Sequence, residues 1–228
     1  MSSPELTGHA LDSVLPESLL ESCSSLAGRK RAVFELGGGL TNRNFKITTD
    51  EGDFVLRLSS KESLELSVNR EHEHANTVLA CRSGVGPPVY DFLPEHSVLV
   101  IGFIEGVTFS DESFQVAGNL ERAARAVRRL HEGPRFVNDF DMFEIQAGYL
   151  AKVQARGYRL PPGYLEHMES VAAIRRALAV RAEPTVPCNN DLLAGNFIDT
   201  GDEIKLIDYE YSGNNDPCFE LVGRFGPV

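Results

Sequence analysis

Between Ala32 and Leu58 the apolar side chains recur at every second position, and this period constrains the fold more than any other feature of the chain. Ala32–Leu36, Asn44–Thr49 and Phe54–Leu58 each read as a strand. Phe45 and Ile47 share one face of the second strand, and Phe54, Leu56 and Leu58 share one face of the third. Asp50-Glu51-Gly52-Asp53 between them has the composition of a hairpin turn. Val89–Phe92 and Val98–Ile104 add two more strands, the second apolar almost throughout and therefore central. Between the third and fourth strands, Leu64–Ala80 carries the helical spacing Leu64, Val68, Ala75, Val78, Leu79. Pro16–Leu26 upstream reads as one short helix, since proline suits the first helical position.

After Glu105-Gly106 the period changes. Asn119–His131 places Leu120, Ala123, Ala124, Val127 and Leu130 on one stripe with arginines opposite, and Gly133-Pro134 stops it. Tyr149–Arg156 and Glu166–Val180 are also expected to be helical, separated by Pro161-Pro162-Gly163. Asn196–Asp199 and Ile204–Asp208 form a hairpin around Thr200-Gly201-Asp202. The expected fold class is α+β. Residues 1–104 form a lobe with a five-stranded antiparallel sheet and one helix; residues 105–228 form a mainly helical lobe with a β-hairpin. The ending Val222–Val228 is not expected to be helical. A lobe that stops there is read as short, with apolar surface left uncovered.

Composition excludes several classes. With 42% apolar residues in 228, the chain can build a core, and a net charge of −11 opposes binding to a phosphate backbone, so no nucleic-acid partner is expected. No run of about 18 apolar residues exists, so no membrane-spanning helix is expected. The N-terminus lacks a basic patch followed by an apolar stretch, and the four cysteines have no paired spacing. Together these point to a cytoplasmic protein without a disulfide framework or zinc site.

The strongest chemical constellation is Cys188-Asn189-Asn190-Asp191-Leu192-Leu193-Ala194-Gly195-Asn196, followed by Ile204–Asp208. Phosphoryl transfer needs an aspartate to orient and deprotonate a hydroxyl, together with a carboxylate and an amide oxygen to hold Mg²⁺ on the phosphates. Asp191, Asn196 and Asp208 supply those types in that order. Each alone is also ordinary turn chemistry: Asp191 could cap a helix at Leu192, and Asp208 could simply end a strand. Their joint spacing between apolar strands favours the functional reading. Arg57, on a strand of Val and Leu, must be paired or face a cleft.

Asn190-Asp191-Leu192-Leu193-Ala194-Gly195-Asn196-Phe197-Ile198, with Ile207-Asp208-Tyr209-Glu210-Tyr211-Ser212-Gly213, resembles the aminoglycoside phosphotransferase and choline/ethanolamine kinase superfamily, and within it the bacterial choline kinase-like branch. The resemblance extends over residues 30–222. It implies a bilobal protein-kinase-like fold, ATP and Mg²⁺, and transfer of the γ-phosphate to the hydroxyl of a small cationic alcohol, choline or ethanolamine. An aminoglycoside acceptor, or a degenerate fold that binds nucleotide without turnover, are the alternatives.

By this resemblance Asp191 is the catalytic base, and Asn196 and Asp208 are the metal ligands. Gly38, Gly39, Thr41 and Asn42 belong to the nucleotide loop, where glycines let the backbone approach phosphates. Arg57 holds the α- and β-phosphates, paired with Glu73 or, as runner-up, Glu71. The Gly102 carbonyl and Ile104 amide read adenine. Glu210 could offer a carboxylate to a cationic substrate, and Tyr211, with Tyr209 and Phe219 nearby, could offer aromatic faces; ordinary core packing is the competing reading of the three rings. His72 and His74 are expected on the surface. The chain departs from the family in two side chains. Asn189 stands where a histidine braces the loop, so positioning should weaken. There is also no tryptophan for an aromatic box.

Overall fold

The computed structural model describes residues 15–37, 42–59 and 68–225. Five strands form one antiparallel sheet in the order β1-β2-β3-β5-β4: β1 (Arg31–Leu36), β2 (Asn42–Thr49), β3 (Gly52–Ser59), β4 (Val89–Leu93) and β5 (Val98–Gly102). The alternation in β2 and β3 is what one covered face requires. Phe45, Ile47, Phe54 and Leu56 point into a core with Leu93, Val98 and Val100. Strand β5 stops two residues before the expected Ile104. Phe103 donates to the Asp53 carbonyl at 3.0 Å, and β3 begins at Gly52, so the ladder runs out of partners.

The cover over that face is α1 (Glu17–Ser22) with the residues on either side of it, which contribute Leu15, Leu20, Cys23 and Leu26. The helix is shorter than the expected Pro16–Leu26. The Asp91 carboxylate of β4 captures the chain beyond it: Ser24 N–H and Oγ donate at 2.9 and 2.6 Å, Ser25 N–H donates at 2.9 Å, and Ser25 Oγ donates as well.

Helix α2 (Arg70–Arg82) starts six residues later than its apolar spacing predicts. Asn69 Oδ1 accepts from Glu71 N–H (3.0 Å) and His72 N–H (3.1 Å) and fixes the start, while Leu64 lies outside the described residues. His74 is half-buried rather than on the surface. It stacks on Phe92 with ring centroids 4.4 Å apart, and burial pulls its pKa below the usual histidine value.

A second core lies beyond the sheet. Ala80 of α2 and Val85 join α3 (Asn119–His131) through Ala123, Ala126, Val127 and Leu130. Packed against them are β8 (Phe197–Asp199) and β9 (Ile204–Leu206), which form a three-stranded sheet with β6 (Val107–Thr108). Both hairpin strands are shorter than expected. Asn196 closes a 3₁₀ turn (Ala194–Asn196), and Asp208 takes φ 62°, which turns the chain out of the strand. A pair of short strands, β7 (Val186–Cys188) and β10 (Gly213–Asn215), flanks this layer. Tyr209 is fully buried in this core, edge-on to Phe136.

Of three further helices, two have side-chain causes at their starts. Helix α4 (Met142–Ala155) begins seven residues before the expected Tyr149, because Asp141 Oδ1 accepts from Phe143 N–H at 2.8 Å and Glu144 N–H at 3.3 Å. One 3₁₀ turn (Tyr164–His167) precedes α5 (Met168–Ala179). Helix α6 (Pro217–Phe225) overturns the expectation of a non-helical ending as far as Phe225; residues 226–228 lie outside the described residues. Asp216 Oδ1 accepts the Cys218 N–H at 2.7 Å, and Pro217 occupies the first helical position. No helix among the described residues is long and apolar enough to cross a membrane.

Burial works to raise the Asp91 pKa, but the Ser24 and Ser25 hydrogen bonds outweigh it and hold the carboxyl below the usual aspartate value. Stability from such a depressed group is present above its unfolded pKa and is lost as pH falls through the folded value. Asp91→Ala is expected to cost about 1–2 kcal/mol at neutral pH, the low end because the site is partly solvated. The gap to wild type should close in acid, as followed by urea melts across pH.

Candidate active site

The loop after β7 is shaped by its own amides. Asn189 is fully buried; its Oδ1 accepts the Asp191 N–H at 3.0 Å, and its Nδ2 donates to the carbonyls of Ile207 (3.2 Å) and Asp208 (2.8 Å). Asn189 therefore ties the Asp191 loop to the end of β9, and the bracing that the missing histidine led us to expect lost is supplied by an amide. Asn190 takes φ 63°, a conformation asparagine tolerates. It donates to the Tyr211 carbonyl at 3.0 Å and accepts from Asn215 Nδ2 at 2.8 Å.

Asp191, Asn196 and Asp208 are brought together. Asn196 Nδ2 donates to the Asp191 carbonyl (2.7 Å) and Oδ2 (3.0 Å), and the Ile207 N–H donates to the Asn196 carbonyl at 3.0 Å. With its nitrogen facing Asp191, the Asn196 amide oxygen is turned the other way. That oxygen and the Asp208 carboxylate make a hard donor set suited to Mg²⁺, and a cation there would offset the crowding of Asp191, Asp208 and Glu210. Burial first, and the Asp208 charge second, push the Asp191 pKa above the usual aspartate value, against the pull of the Asn196 hydrogen bond. A carboxylate so placed can act as a stronger base than one in water.

Arg57, on β3, is buried, and NH1 donates to Glu73 Oε1 at 2.5 Å and to Asp208 Oδ1 at 2.9 Å. Glu73, 3% exposed, is thus its helical partner, and Glu71 is exposed. Burial opposes the guanidinium charge, but Asp208 and Glu73 outweigh it and hold the pKa above the usual arginine value. The second oxygen of Glu73 takes Arg70 NH1 at 2.5 Å. Arg70 reaches on to Glu210 Oε2 (3.3 Å) and Asn42 Oδ1 (2.9 Å), and Asn42 Nδ2 donates to Glu210 Oε2 at 2.9 Å. Sequence reasoning missed Arg70. The signal was its place: a cation in the first helical turn opposes the helix dipole and needs a partner, here three residues on. Asn42 is the first residue of β2; Gly38, Gly39 and Thr41 lie outside the described residues.

At the end of β5, Gly102 N–H donates to the Pro88 carbonyl at 2.8 Å. A ladder would return a donor to the Gly102 carbonyl, but Pro88 has no N–H. A Cβ at 102 would meet Pro88 Cγ at 2.7 Å, so only glycine fits. The Ile104 N–H finds no acceptor among the described residues.

Beside the Asp191 loop is a cavity of about 510 Å³ lined by Tyr149, Tyr211, Glu210, Phe140, Ile145 and Asn190, among others. Tyr209 is not part of it, being in the core, and Phe219 leans on Phe140 at 5.7 Å between centroids. Tyr149 was not legible as a site residue because the start of α4 was not. Burial first, then the Glu210 charge, raise both phenols, with Tyr211 pushed up to about 12. Glu210 and Asp139 bring two carboxylates to the lining of the cavity.

Glu220, 4% exposed on α6, braces the loop from behind. Its Oε1 accepts from Asn189 N–H (2.6 Å) and Asn190 N–H (3.0 Å), and its Oε2 lies 2.5 Å from His131 Nε2. Its partners lie some thirty and ninety residues away, so no local pattern signals it. Glu220→Ala leaves two loop amides and an imidazole without their acceptor. It should destabilise by about 3 kcal/mol or more, against about 1 kcal/mol for Glu220→Gln, which keeps one oxygen; chemical denaturation measures both.

The "Phosphotransferase enzyme family" model matches residues 33–223. A choline/ethanolamine kinase family protein from Mesorhizobium loti is 34% identical, with a TM-score of 0.75 over 92% of this chain and 68% of its own. The choline kinase LicA from Streptococcus pneumoniae is 26% identical, with a TM-score of 0.70 over 85% of this chain and 68% of its own. Protein LicA of Haemophilus influenzae is 29% identical over 194 residues, 81% of this chain; the match spans 55% of LicA, about half its length.

Proposed function

Because the chain belongs to the phosphotransferase enzyme family, we propose that it is a kinase that moves the γ-phosphate of ATP to the hydroxyl of a small cationic alcohol, choline or ethanolamine. The observation that carries this reading is one of place. Asn196 is hydrogen-bonded to Asp191, and Asn189 ties the Asp191 N–H to the Asp208 carbonyl, beside a cavity lined by Tyr149, Tyr211 and Glu210.

In this reading residues 1–104 hold the nucleotide and residues 105–228 the acceptor. Arg57, kept charged by Glu73 and Asp208, faces the phosphates. The Gly102 carbonyl and Ile104 N–H face the base, and the residues before Asn42, with Gly38, Gly39 and Thr41, approach the phosphates. Asn196 and Asp208 would hold Mg²⁺, which when bound neutralises phosphate charge. Asp191 accepts the hydroxyl proton as the acceptor oxygen forms its bond to phosphorus; the bond from that phosphorus to the β–γ bridging oxygen breaks, and ADP leaves. The raised basicity of Asp191 and its fixed orientation by Asn189 and Asn196 are what the protein contributes to that step.

The cavity favours a second acceptor class. At about 510 Å³ it lies in the range of pockets for drug-sized ligands, about 300–1,000 Å³, and exceeds what choline fills. A larger cationic alcohol of the aminoglycoside type fits that volume. Phosphate transfer assayed on choline, ethanolamine and an aminoglycoside decides between the two. Nucleotide binding with transfer to none would make the fold a non-catalytic binder.

Asp191→Ala is expected to cut transfer by about 10²–10⁴-fold while a thermal shift with Mg²⁺ and ATP persists. Retained turnover would remove Asp191 from its role. Tyr149→Ala should raise KM for the cationic acceptor by about 3–30-fold with little change in kcat, the size of a desolvated cation–π contact. The neutral carbon isostere of choline, which has no charge to lose, should be almost unaffected.

A further inference from the structure

The buried ion pairs form a chain that reaches both substrate positions of the reading above, on which this inference rests. Arg57 donates to Asp208 and Glu73, Glu73 divides its oxygens between Arg57 and Arg70, and Arg70 and Asn42 share Glu210 Oε2. The side chains of Arg57, Glu73, Arg70 and Glu210 are between 3% and 10% exposed. Charges so enclosed interact several-fold more strongly than in water, so what one partner loses the next gains. Among the described contacts, the carboxylates of Glu73, Glu210 and Asp208 meet the guanidiniums of Arg57 and Arg70.

Arg70 is held unequally, 2.5 Å from Glu73 and 3.3 Å from Glu210 by the same nitrogen. We propose that Arg70 is a positioning residue that couples the two ligands, by shifting between Glu73 and Glu210. A polyphosphate shares the Arg57 guanidinium with Glu73 and so weakens that pair without breaking it. Glu73 then binds Arg70 more tightly, and the Glu210 carboxylate, which lines the cavity, is left with more of its charge for a cationic acceptor. The reverse also holds: a cation on Glu210 displaces Arg70 toward Glu73 and releases Arg57 toward the phosphates. Linkage requires the two effects to be equal. Asn42 keeps one hydrogen bond on Glu210 Oε2 throughout and is bonded to Arg70 as well, so the residue that opens β2 next to the glycine loop takes part in the exchange.

The test is calorimetric and needs no turnover. Choline is titrated into the protein alone and into the protein saturated with Mg²⁺ and a non-hydrolysable ATP analogue. The wild type should bind choline about 5–10-fold more tightly in the second case, at the lower end of ordinary coupling. Arg70→Met keeps length without charge and should bring the ratio near one while both ligands still bind; Arg70→Lys should restore part of it. A purely structural Arg70 would lower the melting temperature and leave the ratio intact, and that result overturns the proposal. If Arg70→Met does not fold, Glu210→Gln serves instead: choline weakens in both states, and the ratio again falls to one. Binding of both ligands to the wild type with a ratio of one overturns the coupling alone. Failure of the wild type to bind the nucleotide analogue, or to bind choline in either state, overturns the kinase reading and the coupling with it.

Discussion

Arg57 is a permanent charge on a strand that otherwise buries aliphatic side chains, and the arrangement of the site follows from how that charge is matched. A guanidinium cannot be left alone in such a place; it needs acceptors that reach it from other elements. One comes from α2 and one from the end of β9, so the same nitrogen joins the sheet, the helix beside it and the C-terminal hairpin. Neither apolar core joins all three. One gathers on the sheet under α1, the other around α3 and the hairpin, with α2 contributing Ala80 to the latter. Ala80 and Val85 thus tie residues 1–104 to the C-terminal layer by apolar contact, and Arg57 adds the polar tie from the sheet.

Much of the fold was legible because strands have a period that side chains display. β2 and β3 read correctly from Phe45, Ile47, Phe54 and Leu56, all of which are buried. Helix starts were less legible, since Asn69, Asp141 and Asp216 set them by hydrogen bonds to the backbone, not by apolar spacing. The grouping of Asp191, Asn196 and Asp208 was legible because those residues are close in sequence. Arg70, Glu220 and Tyr149 did not, because the groups that give them meaning are distant in the chain: Glu210 is 140 residues from Arg70. The choice between Glu71 and Glu73 required a direction for the helix that periodicity on a polar face does not supply.

Asparagine has an outsized part in the interior. Asn76 donates to Asn138 Oδ1 at 2.8 Å and Ser212 Oγ at 3.0 Å, and accepts from the Val137 N–H at 3.1 Å. Asn214 returns both bonds of Phe136, at 2.9 Å each. An amide offers donor and acceptor together and brings no charge. That suits a region already rich in carboxylates, where another acid would add repulsion and another base would compete for the acids in use. Asn189 and Asn190 extend the same solution into the loop that carries Asp191.

If Gly102 and Ile104 face the base as proposed, the contact between Gly102 and Pro88 would bear on base discrimination. Pro88 has no N–H to return to the Gly102 carbonyl, and two residues later the Ile104 N–H has no acceptor among the described residues. A purine edge that places an exocyclic amine beside a bare ring nitrogen meets this order in register. Guanine presents the two in reverse, oxygen facing oxygen and hydrogen facing hydrogen. On the reading proposed above, an imino acid that merely lacks a hydrogen would tell one purine from another without lending a single side chain.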